Sequence, residues 1–269
     1  MAKIGFIGAG NMAEALIKGI IAAGQYASAD VMVSDIRPER LEQLNSQYGV
    51  TAVSDNTDIT SAVDIVVLSV KPQVMAEVLD GLKGTFKKDA VVISIAAGIT
   101  TTAISDIIGD MTIIRVMPNT PALVGEGMSG LYSANADDKT LQSAQSLFSS
   151  AGKAVLVDSE DLIDAVTAVS GSGPAYYFLM IEEMIKAGTE LGLPIDTATE
   201  LVLQTAKGSS LLAEIAKNNG ETAEELRRKV TSPGGTTEAA INVFKKEEFG
   251  SIVSKALTAA RDRGRELSG

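Results

Sequence analysis

Through about residue 160 the chain alternates short Val/Ile-rich runs with stretches of helical periodicity, and this alternation constrains the fold more than any other feature. KIGFIG (Lys3–Gly8), DVMVSD (Asp30–Asp35), DIVVLSV (Asp64–Val70), AVVISIA (Ala90–Ala96) and TIIRVM (Thr112–Met117) read as strands. Weaker runs at GLYSA (Gly130–Ala134) and KAVLVD (Lys153–Asp158) extend the series. Near-continuous branched apolar content predicts strands covered on both faces, hence parallel pairing with helical crossovers. Beyond Ala165 no strand pattern remains. AYYFLMIEEMIKAGTELGL and DTATELVLQTAKGSSLLAEIAK read instead as long helices separated by GLPID. Their apolar residues spread beyond one narrow stripe, which predicts burial on several sides, either in a bundle within the chain or against another subunit. The expected organisation is an α/β domain over residues 1–162 and an all-helical domain over residues 163–269.

Composition then removes whole classes of chemistry. With 34 acidic against 23 basic residues and a net charge of −11, the chain is a poor partner for nucleic acid or anionic membrane. Its apolar runs are too short to span a bilayer, and a strand-like run already at Ile4 leaves no room for a signal peptide, so a cytoplasmic location is expected. There is no cysteine, which excludes disulfides, thiolate catalysis and Cys-based metal sites. There is no histidine either, so no His base, Ser-His-Asp triad or His-ligated metal exists. Chemistry is left to Lys, Tyr, Ser, Thr, carboxylates, backbone groups or a cofactor.

The first strand leads at once into Gly8-x-Gly10-x-x-Ala13 and a helix. This is the pattern that seats a dinucleotide pyrophosphate on a helix N-terminus. Gly8 makes the tight turn, Gly10 admits the pyrophosphate to the backbone, and Ala13 keeps the helix close to the sheet. Asp35 closes the second strand, where a carboxylate holds the ribose hydroxyls of NAD, but SDIRPER also brings Arg37 and Arg40, and arginine suits the 2′-phosphate of NADP. Both NADH and NADPH therefore stay open. Lys71 and Pro72 in SVKPQ lie at the carboxyl end of another strand, where ligands bind in open sheets, and Lys71 is a candidate for contact with cofactor or substrate.

Histidine-dependent dehydrogenation is excluded, and no tyrosine has a lysine four residues on, as a Tyr-x-x-x-Lys alcohol dehydrogenase would need. The β-hydroxyacid dehydrogenases carry G-x-G-x-x-x-K at the domain junction, whereas GSGPAYY puts Tyr177 in place of that lysine. A C=N substrate fits better, because an iminium accepts hydride without a strong enzymic acid. TSPGGTT, before an amphipathic pattern, has two readings: a helix start whose free N–H groups bind an anion, or a Pro-Gly turn with a threonine N-cap. SGSGPAY (Ser170–Tyr176) is either a structural helix entry or part of a site lining, and Tyr176 and Tyr177 read as core or interface aromatics.

IGFIGAGNMAEA, SVKP, SIAAGIT, MPNTPALVGEG, SGSGPAY and TSPGGTT run in order from end to end of the chain. With them the sequence resembles the Δ1-pyrroline-5-carboxylate reductase family. The resemblance implies a Rossmann domain with a mostly parallel sheet and an all-α dimerisation domain, with a homodimer that can build into a ring of dimers. It implies reduction of the cyclic imine 1-pyrroline-5-carboxylate to L-proline by NADPH or NADH, the last step of proline biosynthesis. By resemblance Gly8, Ala9, Gly10, Asn11 and Met12 bind the pyrophosphate and Ser34 and Asn56 reach the adenine ribose. Val70, Lys71, Pro72 and Ala97 would approach the ribose and nicotinamide. Amides around Gly235, Thr236 and Thr237 would bind the substrate carboxylate, and the Thr237 hydroxyl would hold the ring nitrogen as the catalytic group. Many relatives have Ala where this chain has Thr236, a mild departure because a backbone amide acts there. Related readings are a reductase of another cyclic imine or a hydroxy acid, and a dinucleotide-binding sensor without turnover.

Overall fold

The structure, a computed structural model, describes residues 3–267. The chain forms two compact units. One runs through Pro174 and takes in the last helical turns from Ala259, and the other spans Ala175–Thr258.

The first unit is built on an eight-stranded sheet. Its strands are β1 (Ile4–Ile7), β2 (Val31–Ser34), β3 (Thr51–Val53), β4 (Ile65–Leu68), β5 (Val91–Ser94), β6 (Thr112–Met117), β7 (Gly127–Tyr132) and β8 (Gly152–Leu156). Their spatial order is β3-β2-β1-β4-β5-β6-β7-β8, and only the β6–β7 pair is antiparallel. The chain moves outward from β1 through β2 and β3, then returns to place β4 on the other side of β1. That reversal opens a crevice at the carboxyl ends of β1 and β4, the place where such sheets bind ligands.

Helices α1 (Asn11–Ala22), α2 (Pro38–Tyr48), α3 (Asn56–Ala62), α4 (Met75–Gly81), α5 (Thr101–Ile108), α6 (Asp138–Ser149) and α7 (Asp161–Val166) follow or connect these strands. The sheet separates two cores. Phe6, Val33, Val67 and Ile93 pack with Leu16, Ile17, Ile20, Leu147 and Phe148 on one face. Ile7, Val66, Leu68 and Val92 pack with Ile59, Leu79 and Ile104 on the other. Alternate strand residues thus enter opposite cores, which is why the strands read as continuous apolar runs.

Two strands differ from the sequence expectation. β3 has no signal because it is a three-residue edge strand, TAV, with its first two residues exposed. β7 begins at Gly127 rather than Gly130, and its glycines hide the pattern. They are required by packing: a Cβ at Gly127 would lie 2.8 Å from Ala122 Cβ, and one at Gly130 2.8 Å from the Val166 side chain. The ladders of β2, β4 and β5 also stop at Ser34, Leu68 and Ser94, so the polar tails of those runs become the loops of the crevice.

After α7 comes a single π-helical turn, Thr167–Gly171, then α8 (Gly173–Glu190), α9 (Ile195–Asn218), α10 (Ala223–Lys229), α11 (Thr236–Lys246) and α12 (Phe249–Leu267). The second unit contains no strand among the described residues. In α9 only Ala198, Val202 and Ala216 are buried, while Tyr177, Phe178, Leu179, Leu211, Leu212 and Ile215 stay exposed. A bundle within the chain therefore does not cover these helices, and apolar surface of this extent is the mark of an association face. Tyr177 is 70% exposed and is not a core aromatic of the single chain. Among the described residues no helix is long and apolar enough to cross a membrane.

Gly152, where β8 starts, has φ +145°, and a Cβ there would lie 2.1 Å from the Gly127 carbonyl oxygen. Gly152→Ala is expected to lower unfolding free energy by roughly 2–4 kcal/mol through backbone strain and clash. The urea unfolding midpoint measures this.

Candidate functional site

The glycine loop is held more tightly than its sequence suggests. Gly8 has φ +98°, which favours glycine, and a Cβ on it would lie 2.9 Å from the carbonyl carbon and oxygen of Ser69. Its N–H donates to the Ser34 carbonyl (2.9 Å), and the Ser69 hydroxyl donates to the Gly8 carbonyl (2.6 Å). The ends of β1, β2 and β4 are thereby tied together around one residue. Gly10 is different. It N-caps α1 without any side-chain cap bond, and a Cβ there would meet nothing within 4 Å. Space over a bare helix start is what a pyrophosphate requires, so the residues present fit a dinucleotide. Asn11 is exposed and Met12 half-buried at the first turn of α1, and Ala13 is fully buried beneath it.

Ala9 is gripped at both ends of its peptide groups. Its N–H donates to Asp35 Oδ2 (2.8 Å), and its carbonyl accepts from Arg40 Nε (2.7 Å). Arg40 also pairs with Glu14, which accepts from the Tyr48 hydroxyl at 3.0 Å. Arg37 lies on Asp35 in a fork: Nε is 2.9 Å from Oδ1 and Nη2 is 3.1 Å from Oδ2, with the Arg37 N–H at 3.0 Å from Oδ1. With Ala9 this makes four donors, enough to fill the acceptor capacity of one carboxylate. The Asp35 side chain is 8% exposed and that of Arg37 52%. Asp35 is thus turned onto the glycine loop and its arginine. Nothing in the sequence marks Arg40, Glu14 and Tyr48 as loop supports, because the contacts join residues 26 to 34 positions apart.

The other residues of this half also have defined places. Ser34 is buried, and its hydroxyl donates to Asn56 Oδ1 at 2.6 Å. Val70 and Pro72 are half-buried at the mouth of β4, where Lys71 is exposed and caps a short 3-10 turn. Ala97 is half-buried in the loop that follows β5.

In the second unit, TSPGGTT is a turn followed by α11. Gly235, not a threonine, is the N-cap, and no side chain caps the helix, so the capping reading of the threonines does not hold. Gly234 has φ +72°, its N–H donates to Glu238 Oε2 (2.8 Å), and the Gly235 N–H donates to the Ser232 carbonyl (3.0 Å). Gly235 is therefore not a free donor. The amides of Thr236 and Thr237, in the first turn, have no acceptor among the described residues, and both side chains are exposed. Free first-turn amides at the positive end of a helix dipole suit a carboxylate.

Burial alone would push the Asp35 carboxyl up, but the Arg37 side chain and the amides of Ala9 and Arg37 outweigh it and hold it below the ordinary value. Arg40 likewise pulls Glu14 down, against partial burial and with help from Tyr48. A depressed folded-state pKa means stability that is fully present above the unfolded value and lost as pH falls through the folded one. The urea midpoint should therefore drop as pH goes below about 4, the ordinary carboxylate range. Asp35→Asn should flatten part of that drop. Gly10→Val should leave the midpoint nearly unchanged yet weaken dinucleotide binding by more than about tenfold, measured by fluorescence titration.

The model of the family described as pyrroline-5-carboxylate reductase dimerisation matches residues 160–267. That described as NADP oxidoreductase, coenzyme F420-dependent, matches residues 3–98. A pyrroline-5-carboxylate reductase of Pseudomonas aeruginosa is 45% identical over 99% of this chain and 97% of its own length. A solved pyrroline-5-carboxylate reductase structure from Coxiella burnetii matches with TM-score 0.93 and 38% identity, covering 100% of this chain and 99% of that one. A Plasmodium falciparum pyrroline carboxylate reductase structure with NADP bound matches at 0.87 and 31%, covering 100% and 98%. Identity of this degree across the whole length, with a fold that matches end to end, places the chain in the pyrroline-5-carboxylate reductase family.

Proposed function

We propose that the protein reduces 1-pyrroline-5-carboxylate to L-proline with NADPH or NADH, as the last step of proline biosynthesis. The observation that carries this is the start of α11, where two adjacent amides have no acceptor among the described residues beside the exposed side chain of Thr237, in a chain that belongs to a family of such reductases. A dinucleotide is held by Gly8 to Met12, with Ser34 and Asn56 toward the adenine ribose and Val70, Lys71, Pro72 and Ala97 toward the other end. When bound it supplies the hydride.

The chain's own residues bind and orient. The amides of Thr236 and Thr237 receive the substrate carboxylate with the help of the helix dipole, next to Gly235, which shapes the approach. Thr237 Oγ1 hydrogen-bonds the ring nitrogen, which changes from iminium to amine as the carbon accepts hydride. No histidine or cysteine is present to act as acid, and none is needed, because the imine is readily protonated in water. Catalysis then rests on positioning and on stabilising charge at the nitrogen.

Asp35 is ion-paired with Arg37, whose positive charge offsets the carboxylate's repulsion of a 2′-phosphate, which supports use of NADPH. Residues 1–162 would form the dinucleotide-binding domain and residues 163–269 the substrate-binding and dimerisation domain. The exposed apolar faces of α8 and α9 support a homodimer, which can further assemble into a ring. The location we assign is cytoplasmic.

The test follows NADH and NADPH absorbance in parallel with the imine added. Oxidation with proline appearing is expected, faster with NADPH, and a folded, cofactor-binding protein that does not turn over would refute the assignment. Thr237→Ala should raise the barrier by about 1–3 kcal/mol, the scale of one lost hydrogen bond to a charged group. Thr237→Ser should recover most of it. Unchanged kinetics in the alanine variant would remove Thr237 from the reaction.

A further inference from the structure

A set of charged side chains in the first unit lies outside the glycine loop. Arg115, on β6, is 3% exposed. Its Nη1 is 3.2 Å from Glu160 Oε1 and its Nη2 is 3.3 Å from Asp164 Oδ1. Arg265, in the last turn of α12, brings Nε to 3.9 Å from the other oxygen of Asp164. Two cations thus balance two carboxylates. Arg115 and Asp164 are buried, while Glu160 is partly exposed and Arg265 exposed. Desolvation makes a buried ion pair a weak source of net stability compared with apolar packing, while either buried partner is costly to remove alone. Such a set fixes geometry, and the question is the geometry of what.

Glu160 answers it. The same carboxylate that meets Arg115 accepts the Thr101 N–H at Oε1 (2.8 Å) and the Thr101 hydroxyl at Oε2 (2.8 Å). Thr101 opens α5, immediately after the segment Ile95–Thr100 that leaves the carboxyl end of β5 and carries Ala97. A second contact falls on the same segment. Gly98 is buried with φ +72°, and a Cβ there would lie 2.9 Å from Leu267 Cβ and 3.1 Å from the Leu267 carbonyl oxygen. Leu267 stands two residues after Arg265. The loop is therefore pinned at its exit by Glu160 and packed at its centre by the end of α12, and the ion set joins the two supports.

We propose that Glu160, oriented by Arg115, is a positioning residue for the nicotinamide end of the cofactor: it clamps Thr101 and so fixes the Ala97-bearing loop, against which Leu267 packs beside the Arg265–Asp164 pair. This rests on the reading that Ala97 approaches the nicotinamide. Hydride transfer is sensitive to placement on the scale of 1 Å, so a loosened loop acts on the chemical step before it acts on binding of the adenine end.

The experiment compares full-length Glu160→Gln, Thr101→Val and Thr101→Ser with the parent. It reads kcat, the primary isotope effect with reduced cofactor deuterated at C4, and the affinity for ADP-ribose, which lacks the nicotinamide. Thr101→Val and Glu160→Gln should lower kcat by about ten- to a hundredfold and raise the isotope effect, with ADP-ribose affinity unchanged. Thr101→Ser, which keeps both donors, should restore parental values. Parental kcat and isotope effect in the folded variants, or loss of thermal stability alone, would overturn the proposal. Ala97→Leu separates the underlying reading. If it leaves affinity for the whole cofactor intact, Ala97 does not face the nicotinamide and the proposal falls with that reading. If it weakens that affinity while Glu160→Gln is silent, only the positioning role is refuted.

Discussion

Everything in the dinucleotide half depends on how closely the backbone of β1 is gripped where it leaves the sheet. Gly8 has no room for a side chain against Ser69 and is bonded to the ends of both flanking strands. One residue later, the Ala9 peptides are fixed by Asp35 and Arg40. On the proposed function, a loop held in this way would meet a pyrophosphate with its amides already oriented, with little conformational entropy left to lose on binding. The open space at Gly10 is the complement of that rigidity: Gly8 is closed in by the fold, and Gly10 is left uncovered at the start of α1.

The charged side chains around the loop act as supports. Asp35 is surrounded by four donors, and Arg40 bridges the loop to Glu14 on α1. Charge-assisted hydrogen bonds are stronger than neutral ones, and here they are made in the partly buried shell where they set orientation. The Arg115–Glu160–Thr101 chain repeats the device at the carboxyl end of β5. In both cases a carboxylate accepts a backbone N–H from the segment that follows a strand and is itself held by an arginine.

The helical unit follows a different logic. Its short helix starts are ordered by local bonds: Thr222 and Glu225 form a reciprocal capping box at α10, and Glu238 reaches back to Gly234 before α11. Its long helices leave aromatic and aliphatic side chains exposed in the single chain. The proposed reaction centre, backbone amides and one hydroxyl, would need little titratable machinery, which agrees with a sequence that has neither histidine nor cysteine.

The sequence by itself determined the parallel sheet, the glycine loop and the change to an all-helical second part, because continuous branched apolar runs, glycine spacing and helical periodicity are local signals. It also marked TSPGGTT as a helix start. Tertiary structure alone decided the rest. β3 and the first half of β7 lack apolar runs and exist because a neighbouring strand offers them a ladder. The inward turn of Asp35, the Arg40 clamp on Ala9 and the Glu160 clamp on Thr101 join residues 26, 31 and 59 positions apart. The last two threonines of TSPGGTT have a reading as the helix cap, yet Gly235 takes that position, and the amides of Thr236 and Thr237 have no acceptor among the described residues. A side chain's partner depends on which strand ends the fold brings together, and no local pattern in a chain encodes that.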